Sequence, residues 1–499
     1  MRIFKKLGFA VVLISIGCLP SDEEVGEDPR VALNARAASL ELDTEYIPPP
    51  GDVLHHETAG FAKILCSAVF ITGLDPEDAA ANVGGFISHF DQRGHVVDTI
   101  VDYENEIVAL TLPDGITRTA KRYKNQGCVS HAIGEDSVYF TPTDVARNLP
   151  PAETTAWPMG DVISEAPWPA GVDMDLIEEA LDVGFGPEEA RTLALVVTHK
   201  GRILGERYSP EVDIHTPLES WSMTKSLTGT LMGVLIQQGV YDLDQSAPVP
   251  EWQGEGDPRQ EIRIKDIMRM SSGIRLRNAG DPDFDPELGY PGHLYLYTAT
   301  DDSFKWAATR PQQWPPNTVG RYRNSDPVLT SYLIRLGVEG RGDVYHDFPQ
   351  TDLFDKIGIR DAIIEPDPQG NFLGNGLAFM PARDWARLAN LYLQDGVWDG
   401  ERILPEGFVD YASSLAPAWI ADGRLQYGGA FFWVNGNGGW PVPETAYSMR
   451  GAGGQSATII PSHDLVVVRL GKYTGSRAGG AALNSAYEIL MDAVPSVEE

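Results

Sequence analysis

The segment Trp221-Ser222-Met223-Thr224-Lys225-Ser226 places a serine and a lysine three residues apart. Ser222 and Lys225 are three residues apart, which is nearly one helical turn, so a helix that begins at Ser222 places both side chains on one face. The apolar residues that follow recur at helical spacing as far as Gly239. This pattern predicts a buried helix over residues 222–238, in which a lysine needs a chemical reason.

A serine and a lysine in this arrangement are typical of nucleophilic catalysis. A serine hydroxyl becomes a strong nucleophile when a neighbouring group takes its proton. Lysine can be that group only where its surroundings lower its pKa well below about 10. The start of a helix also directs backbone N–H groups at a developing oxyanion. The sequence therefore predicts Ser222 as nucleophile and Lys225 as base; the alternative is an N-cap serine beside a solvated lysine.

Two further segments carry residues suited to the same chemistry. Tyr322-Arg323-Asn324 supplies a hydroxyl that can relay protons and an amide that can hold a substrate carbonyl. Gly451-Ala452-Gly453-Gly454-Gln455 leads into a strand predicted over residues 456–461, and its glycines let a substrate approach the backbone closely. Each segment alone is equally typical of a loop aromatic or a β-turn, but the three together are much more specific.

In this order the three segments resemble the S-x-x-K, Y-x-N and K-T-G-like motifs of the class C β-lactamase and penicillin-binding superfamily. The segments 267–273 and 376–384 agree with that resemblance. Over about residues 165–495 the chain is most similar to the branch that holds 6-aminohexanoate-dimer hydrolases and family VIII carboxylesterases. The resemblance implies an α+β, transpeptidase-like fold, with an antiparallel sheet flanked by helices and a helical lobe beside the cleft.

The resemblance also implies roles for individual residues. Ser222 would be the acylated nucleophile, Lys225 its base and Tyr322 the group that passes a proton to the leaving group. Asn324 would orient the substrate, and the oxyanion hole would be the backbone N–H groups of Ser222 and Gln455, with Gly453 and Gly454 leaving room for the substrate. No cofactor is expected, and the scattered histidines show no metal-ligand spacing.

The third segment departs from the family pattern. Ala452-Gly453-Gly454 stands where the family has Lys-Thr-Gly or His-x-Gly, so the side chain that would meet a β-lactam carboxylate is missing. Arg450 is close in sequence and is a candidate replacement. Hydrolysis of a small carboxylic ester or amide is therefore favoured. The alternatives are a D,D-peptidase or weak β-lactamase, and a non-hydrolytic ligand-binding or sensor protein.

The beginning of the chain reads as an export signal. A basic start precedes a short apolar run that ends in Ser15-Ile16-Gly17-Cys18, which resembles a bacterial lipobox. We expect a signal peptide over residues 1–17, lipidation of Cys18 and a solvated tether over residues 18–50. The protein would be periplasmic or at the cell surface, with a lipid as its only membrane anchor; the alternative is a plain cleaved signal peptide.

The number of cysteines allows one disulfide in an oxidising compartment. If Cys18 carries lipid, Cys66 and Cys128 are the even pair that remains, and we predict a disulfide between them. The alternative is two buried free thiols. The formal net charge of -32 argues against binding to nucleic acid, because phosphate backbones are repelled by such a surface. The expected partner is a small molecule.

Residues 51–165 are predicted as a small N-terminal α+β region and residues 166–499 as the hydrolase domain. In the first, we predict a strand over Ala62–Ile71 and strands within residues 96–112. The elements predicted in the second are a helix at 173–183, a hairpin at 193–208, strands at 427–433, 456–461 and 465–471, and a helix at 481–494. This order predicts one antiparallel sheet that is built from both ends of the domain.

Overall fold

The structure is a computed structural model and describes residues 29–88 and 93–497. The predicted signal peptide and Cys18 lie outside these residues. The helices are α1 (Pro29–Ser39), α2 (Val53–Ser67), α3 (Pro76–Asn82), α4 (Met174–Phe185), α5 (Met223–Gln237), α6 (Ile264–Ile267), α7 (Gly292–Thr298), α8 (Ser303–Ala308), α9 (Ser325–Gly340), α10 (Asp355–Ile357), α11 (Ala382–Leu393), α12 (Phe408–Ser413), α13 (Pro417–Ala421) and α14 (Ser476–Ala493).

Within the described ranges, the strands form four sheets. They are β1 (Asp98–Asp102), β2 (Ile107–Thr111), β3 (Thr117–Arg122), β4 (Cys128–Ser130), β5 (Thr192–His199), β6 (Arg202–Tyr208), β7 (Leu218–Glu219), β8 (Ile363–Ile364), β9 (Ala378–Met380), β10 (Val397–Trp398), β11 (Glu401–Arg402), β12 (Trp433–Val434), β13 (Tyr447–Gly451), β14 (Gln455–Ile460) and β15 (Leu465–Gly471).

The main sheet has six strands in the order β12-β13-β14-β15-β5-β6, all antiparallel. It confirms the prediction of one sheet from both ends of the domain. Helices α4 and α14 pack on one face, and α5 and α11 on the other. Because both faces are covered, β5 is buried along its whole length, which explains the continuous apolar run over residues 193–197. The predicted fold class, including the helical lobe around α6–α9, is confirmed.

Two strand predictions are wrong. The apolar run Ala62–Ile71 belongs to α2 and to the π-helical turn Ala68–Thr72. Helix α2 starts at the N-cap Asp52 and is buried on nearly every side, so its sequence has no polar face that would reveal a helical period. In the predicted strand over residues 427–433, only Trp433 enters β12; Tyr427 makes an isolated bridge to it.

The N-terminal region is joined to the hydrolase domain by a shared core. Strands β1–β4 form a meander, and α2 packs on it. Cys66 on α2 and Cys128 on β4 form a fully buried disulfide, which confirms that prediction. The same apolar cluster includes Trp221 and Tyr297 from the hydrolase domain. Next to the disulfide, the buried Lys63 amine pairs with the Glu365 carboxylate.

Residues 29–50 lie against the hydrolase domain, which corrects the expectation of a solvated tether for this part. Ala37 packs with Trp314, whose indole N–H donates to the Ala37 carbonyl at 2.9 Å. Arg36 pairs with Asp422, and Leu42 N–H donates to the Gln313 carbonyl at 2.8 Å. These contacts fix residues 29–50 to the loop that leads to Tyr322. Among the described residues, none of the helices has the length and apolar character to cross a membrane.

Candidate active site

Ser222 and Lys225 lie together at the start of α5, as predicted. Ser222 is the N-cap residue of the helix, and its Oγ lies 2.8 Å from the Nζ atom of Lys225. The first turn is closed by bonds from the N–H groups of Thr224 and Lys225 to the carbonyls of Trp221 and Ser222. Ser222 is half-buried, whereas Lys225 has no exposed surface. The serine is therefore accessible from outside, whereas the amine lies behind it.

Lys225 is held in a setting that favours a neutral amine. Its Nζ donates to the carbonyl of Asn375 at 2.5 Å and lies 3.5 Å from the Tyr297 hydroxyl. No carboxylate of the described residues forms a salt bridge with it. Burial therefore lowers the pKa of Lys225 well below its ordinary value. A lysine with this pKa can accept the proton of the adjacent serine.

Tyr322 is brought to the same pair. Its ring centroid lies 5.0 Å from Lys225 Nζ, and its ring packs against Trp433 at 5.3 Å and edge-on against Tyr427 at 5.8 Å. Burial raises the pKa of Tyr322, while the interaction with the Ser222 hydroxyl opposes that rise. The phenol is therefore protonated at neutral pH and can donate to a leaving group, as the proton relay predicted for it requires.

Tyr297 is a site residue that the sequence did not reveal. Its hydroxyl lies 3.4 Å from Ser222 Oγ, and it is fully buried on the short helix α7. Burial raises its pKa, so this second phenol also stays protonated. Tyr297 belongs to Tyr290-Pro291-Gly292-His293-Leu294-Tyr295-Leu296-Tyr297, where three tyrosines lie close together and nothing in the local pattern singles out one of them.

Asn324 is fully buried beneath the two tyrosines. Its side-chain nitrogen donates to the His293 carbonyl at 2.7 Å, and its backbone N–H donates to His293 Nδ1 at 3.1 Å. Burial and the nearby Lys225 lower the pKa of His293 well below its ordinary value. A neutral His293 thus accepts the Asn324 N–H and ties the segment with Tyr322 to the helix with Tyr297. This contact was also missed from the sequence.

The glycine segment lies beside the nucleophile. A Cβ at Gly451 would come within 2.1 Å of the Ser220 carbonyl, so only glycine allows this close approach. Gly453 and Gly454 have φ of +84° and +74°. Their carbonyls accept bonds from the buried guanidinium of Arg469 at 3.4 and 3.0 Å. Arg469, another residue missed from the sequence, therefore fixes the shape of this turn.

The side-chain amide of Gln455 is bound to the neighbouring strand β15. Its amide exchanges two bonds with the backbone of Gly471, at 2.5 and 2.8 Å. Only its backbone is left for the predicted oxyanion hole. Arg450 does not replace the missing cation, because its guanidinium stacks 4.5 Å from the Trp440 ring centroid. That ring belongs to the apolar cluster under α4 and α14, on the face of the sheet away from Ser222.

The chain matches the Beta-lactamase family over residues 179–488, which is more than half of its length. It belongs to the Beta-lactamase family, and is a hydrolase of that family. The fold and the grouping of Ser222, Lys225 and Tyr322 agree with this membership.

The similarity to individual proteins is more distant. A 6-aminohexanoate-dimer hydrolase from Paenarthrobacter ureafaciens is 26% identical over 332 residues, which cover 57% of this chain and 74% of that protein. A solved structure described as a 6-aminohexanoate-dimer hydrolase from Bacillus anthracis superposes with a TM-score of 0.53 at 20% identity, covering 70% of this chain and 90% of that one. The hydrolase EstCE1 gives 0.51 at 14% identity, covering 63% and 98%. Both structures show the shared fold.

Proposed function

We propose that this chain is an exported enzyme that hydrolyses a carboxylic ester or amide through an acyl-enzyme on Ser222, with Lys225 as general base. The observation that carries the proposal is the 2.8 Å contact between Ser222 Oγ and a fully buried Lys225 Nζ. Because burial lowers the pKa of this amine, it can be neutral and accept the serine proton.

The proposed reaction has two halves. Lys225 takes the Ser222 proton while Oγ forms a bond to the carbonyl carbon and the π pair moves to the carbonyl oxygen. Backbone N–H groups of Ser222 and Gln455 are the proposed donors to that oxyanion. The C=O bond then re-forms and the bond to the leaving group breaks. The alcohol or amine departs with a proton from Tyr322, which recovers a proton from Lys225.

Water completes the cycle. It loses a proton to Lys225 and attacks the acyl carbon, and the bond to Ser222 Oγ breaks as the serine regains that proton. The net reaction is an ester or amide plus water giving a carboxylic acid plus an alcohol or amine. The similarity to a 6-aminohexanoate-dimer hydrolase supports a hydrolytic reaction of this kind.

Neutral acyl groups are the proposed substrates. The glycine turn has no cationic side chain, and Arg450 lies on the other face of the sheet. A substrate carboxylate would therefore lack the partner that the third family motif supplies. This disfavours the D,D-peptidase and β-lactamase alternatives.

Rates on short acyl esters, short acyl amides and a chromogenic cephalosporin test the proposal, with wild type compared with Ser222→Ala. We expect turnover of an ester or amide by the wild type, an acyl adduct on Ser222 by intact mass, and neither in the variant. Full activity of Ser222→Ala would contradict the assignment. Cephalosporin hydrolysis as fast as ester hydrolysis would favour the β-lactamase alternative.

Export with lipidation of Cys18 is a separate part of the proposal. The buried Cys66–Cys128 disulfide supports an oxidising compartment, because such bonds persist mainly outside the cytosol. In a bacterial host, we expect the wild type in the membrane fraction. We expect Cys18→Ser as a soluble exported protein or as a precursor that keeps its signal peptide. Equal distribution of the two proteins would contradict a lipid anchor.

A further inference from the structure

The N-terminal region reaches the active site although it lies outside residues 179–488, the part of the chain that matches the family. Phe86 ends the 3₁₀ turn Gly84–Phe86. Its ring centroid lies 4.6 Å from that of Trp221, at an interplanar angle of 68°, and 5.9 Å from that of Tyr297. A side chain of this region thus packs on the residue that immediately precedes Ser222.

Trp221 has an unusual backbone conformation. Its φ is +46°, in the left-handed region that bulky residues seldom adopt. This residue joins β7 to the start of α5, so its backbone sets the direction in which Ser222 enters the site. A conformation of this kind persists only where the surrounding structure holds it. The Trp221 ring is completely buried in the apolar cluster that contains Cys66 and Cys128.

The segment that carries Phe86 is itself held against the loop after β15. On the helix before it, Asp78 pairs with Lys472 at 2.8 Å, and the Asn82 side chain accepts a bond from Thr474 at 2.7 Å. The Phe86 ring also packs on Tyr473, with a centroid distance of 5.4 Å. These contacts tie the segment to the loop after β15, on the side of the site that also holds the glycine turn.

We infer that Phe86 and Trp221 are positioning residues: Phe86 packs on Trp221 and holds the left-handed backbone that presents Ser222 to Lys225. The N-terminal region is then a working part of the active site. This inference rests on the proposed function, because it needs Ser222 to be the nucleophile. Small displacements matter here, since a misplacement of about 1 Å can cost about 100-fold in rate.

The test compares Phe86→Ala with Phe70→Ala. Phe70 is a half-buried aromatic of the same region, but its ring packs on Tyr103 at 5.7 Å. The readouts are melting temperature, the rate at which a small fluorophosphonate labels Ser222, and kcat and KM on a short ester. A small probe reports the placement of the nucleophile with little contact to the walls of the site.

We expect Phe86→Ala to lower labelling and kcat by about tenfold or more with KM nearly unchanged, and Phe70→Ala to label like the wild type. Phe86→Leu, which keeps an apolar side chain against Trp221, should recover most of the rate. Normal labelling of Phe86→Ala with an altered KM would overturn the inference, as would equal losses in both alanine variants. If either variant does not fold, Phe86→Val and Phe70→Val replace the pair. A wild type that is not labelled would contradict the proposed function itself.

Discussion

The hydroxyl of Tyr297 lies 3.4 Å from Ser222 Oγ, although 75 residues separate the two in the chain. The same hydroxyl lies 3.5 Å from Lys225 Nζ. Tyr322 approaches this pair from another segment, so two protonated phenols flank one serine and one buried amine. Either phenol can therefore serve as the proton donor to the leaving group in the proposed reaction.

If Tyr297 takes part in proton transfer, Tyr297→Phe should lower kcat by about 100-fold, the lower end of what general acid–base catalysis contributes. Tyr295→Phe is the matched control. It lies on the same helix and is also buried, but its ring packs on Trp306. Steady-state kinetics on a short ester would show the difference. An equal kcat for Tyr297→Phe and wild type would mean that this hydroxyl only fills space.

The sequence was sufficient for strands β5, β6, β14 and β15 of the hydrolase sheet, though not for β12 and β13, and for the pairing of Ser222 with Lys225. Both depend on local periodicity, since strands buried on two faces are continuous apolar runs and helical spacing brings positions three apart together. It was not sufficient for Tyr297 or His293, because their places depend on how α7 packs against α5 and on the segment with Asn324. No pattern within α7 distinguishes Tyr297 from Tyr295.

The prediction of a strand in place of helix α2 was wrong for a related reason. Sequence periodicity reports which face of an element meets water, and α2 is buried against both the meander and the hydrolase domain. The docking of residues 29–50 was missed because polar contacts such as Arg36 with Asp422 leave no periodic signal. In both cases the structure is determined by partners that are distant in the chain.

Replacement of two buried lysines by methionine should change the free energy of unfolding in opposite directions. Lys63 and Lys225 are both fully buried, but only Lys63 has a carboxylate partner, Glu365. Lys63→Met leaves that carboxylate unpaired and should cost about 3–5 kcal/mol of unfolding free energy. Lys225→Met removes an amine whose charged form is disfavoured by burial, so it should stabilise the protein, although the lost bond to Asn375 offsets about 1 kcal/mol.

The stability difference between the wild type and Lys225→Met should depend on pH. An unfolded lysine has a pKa of about 10.4, whereas burial lowers the pKa of folded Lys225. Between these two values the unfolded chain binds the extra proton, so wild-type stability falls as pH falls, by about 1.4 kcal/mol per unit, and levels off below the folded pKa. The advantage of Lys225→Met should therefore grow in thermal denaturation as the pH falls below about 10.4, and it should become constant below the folded pKa. A stability difference that does not change with pH below about 10.4 would contradict a lowered pKa.

Loss of the disulfide should destabilise the N-terminal region. Cys66 and Cys128 are 62 residues apart, and closing a loop of that size restricts the unfolded chain by roughly 4 kcal/mol. We expect Cys66→Ser/Cys128→Ser to melt well below the wild type, and reductant to lower the wild-type melting temperature towards that of the variant. No effect of either treatment would mean that the bond does not form in the folded protein.

Arg450 should have no role in substrate recognition. Its guanidinium stacks on Trp440 on the face of the sheet away from Ser222. Arg450→Lys should therefore change kcat/KM by the same factor for a neutral ester and for a matched ester that carries a carboxylate. A selective loss on the anionic ester would show that this arginine replaces the cation of the third family motif.

The proposed reaction depends on activation of Ser222 by Lys225. Intact mass spectrometry after incubation with a fluorophosphonate probe tests this activation, for wild type, Ser222→Ala and Lys225→Ala. We predict one adduct on the wild type, mapped to Ser222, and no adduct on either variant over the same time. Labelling of Lys225→Ala at the wild-type rate would contradict the role of the lysine, and labelling of Ser222→Ala would contradict the nucleophile.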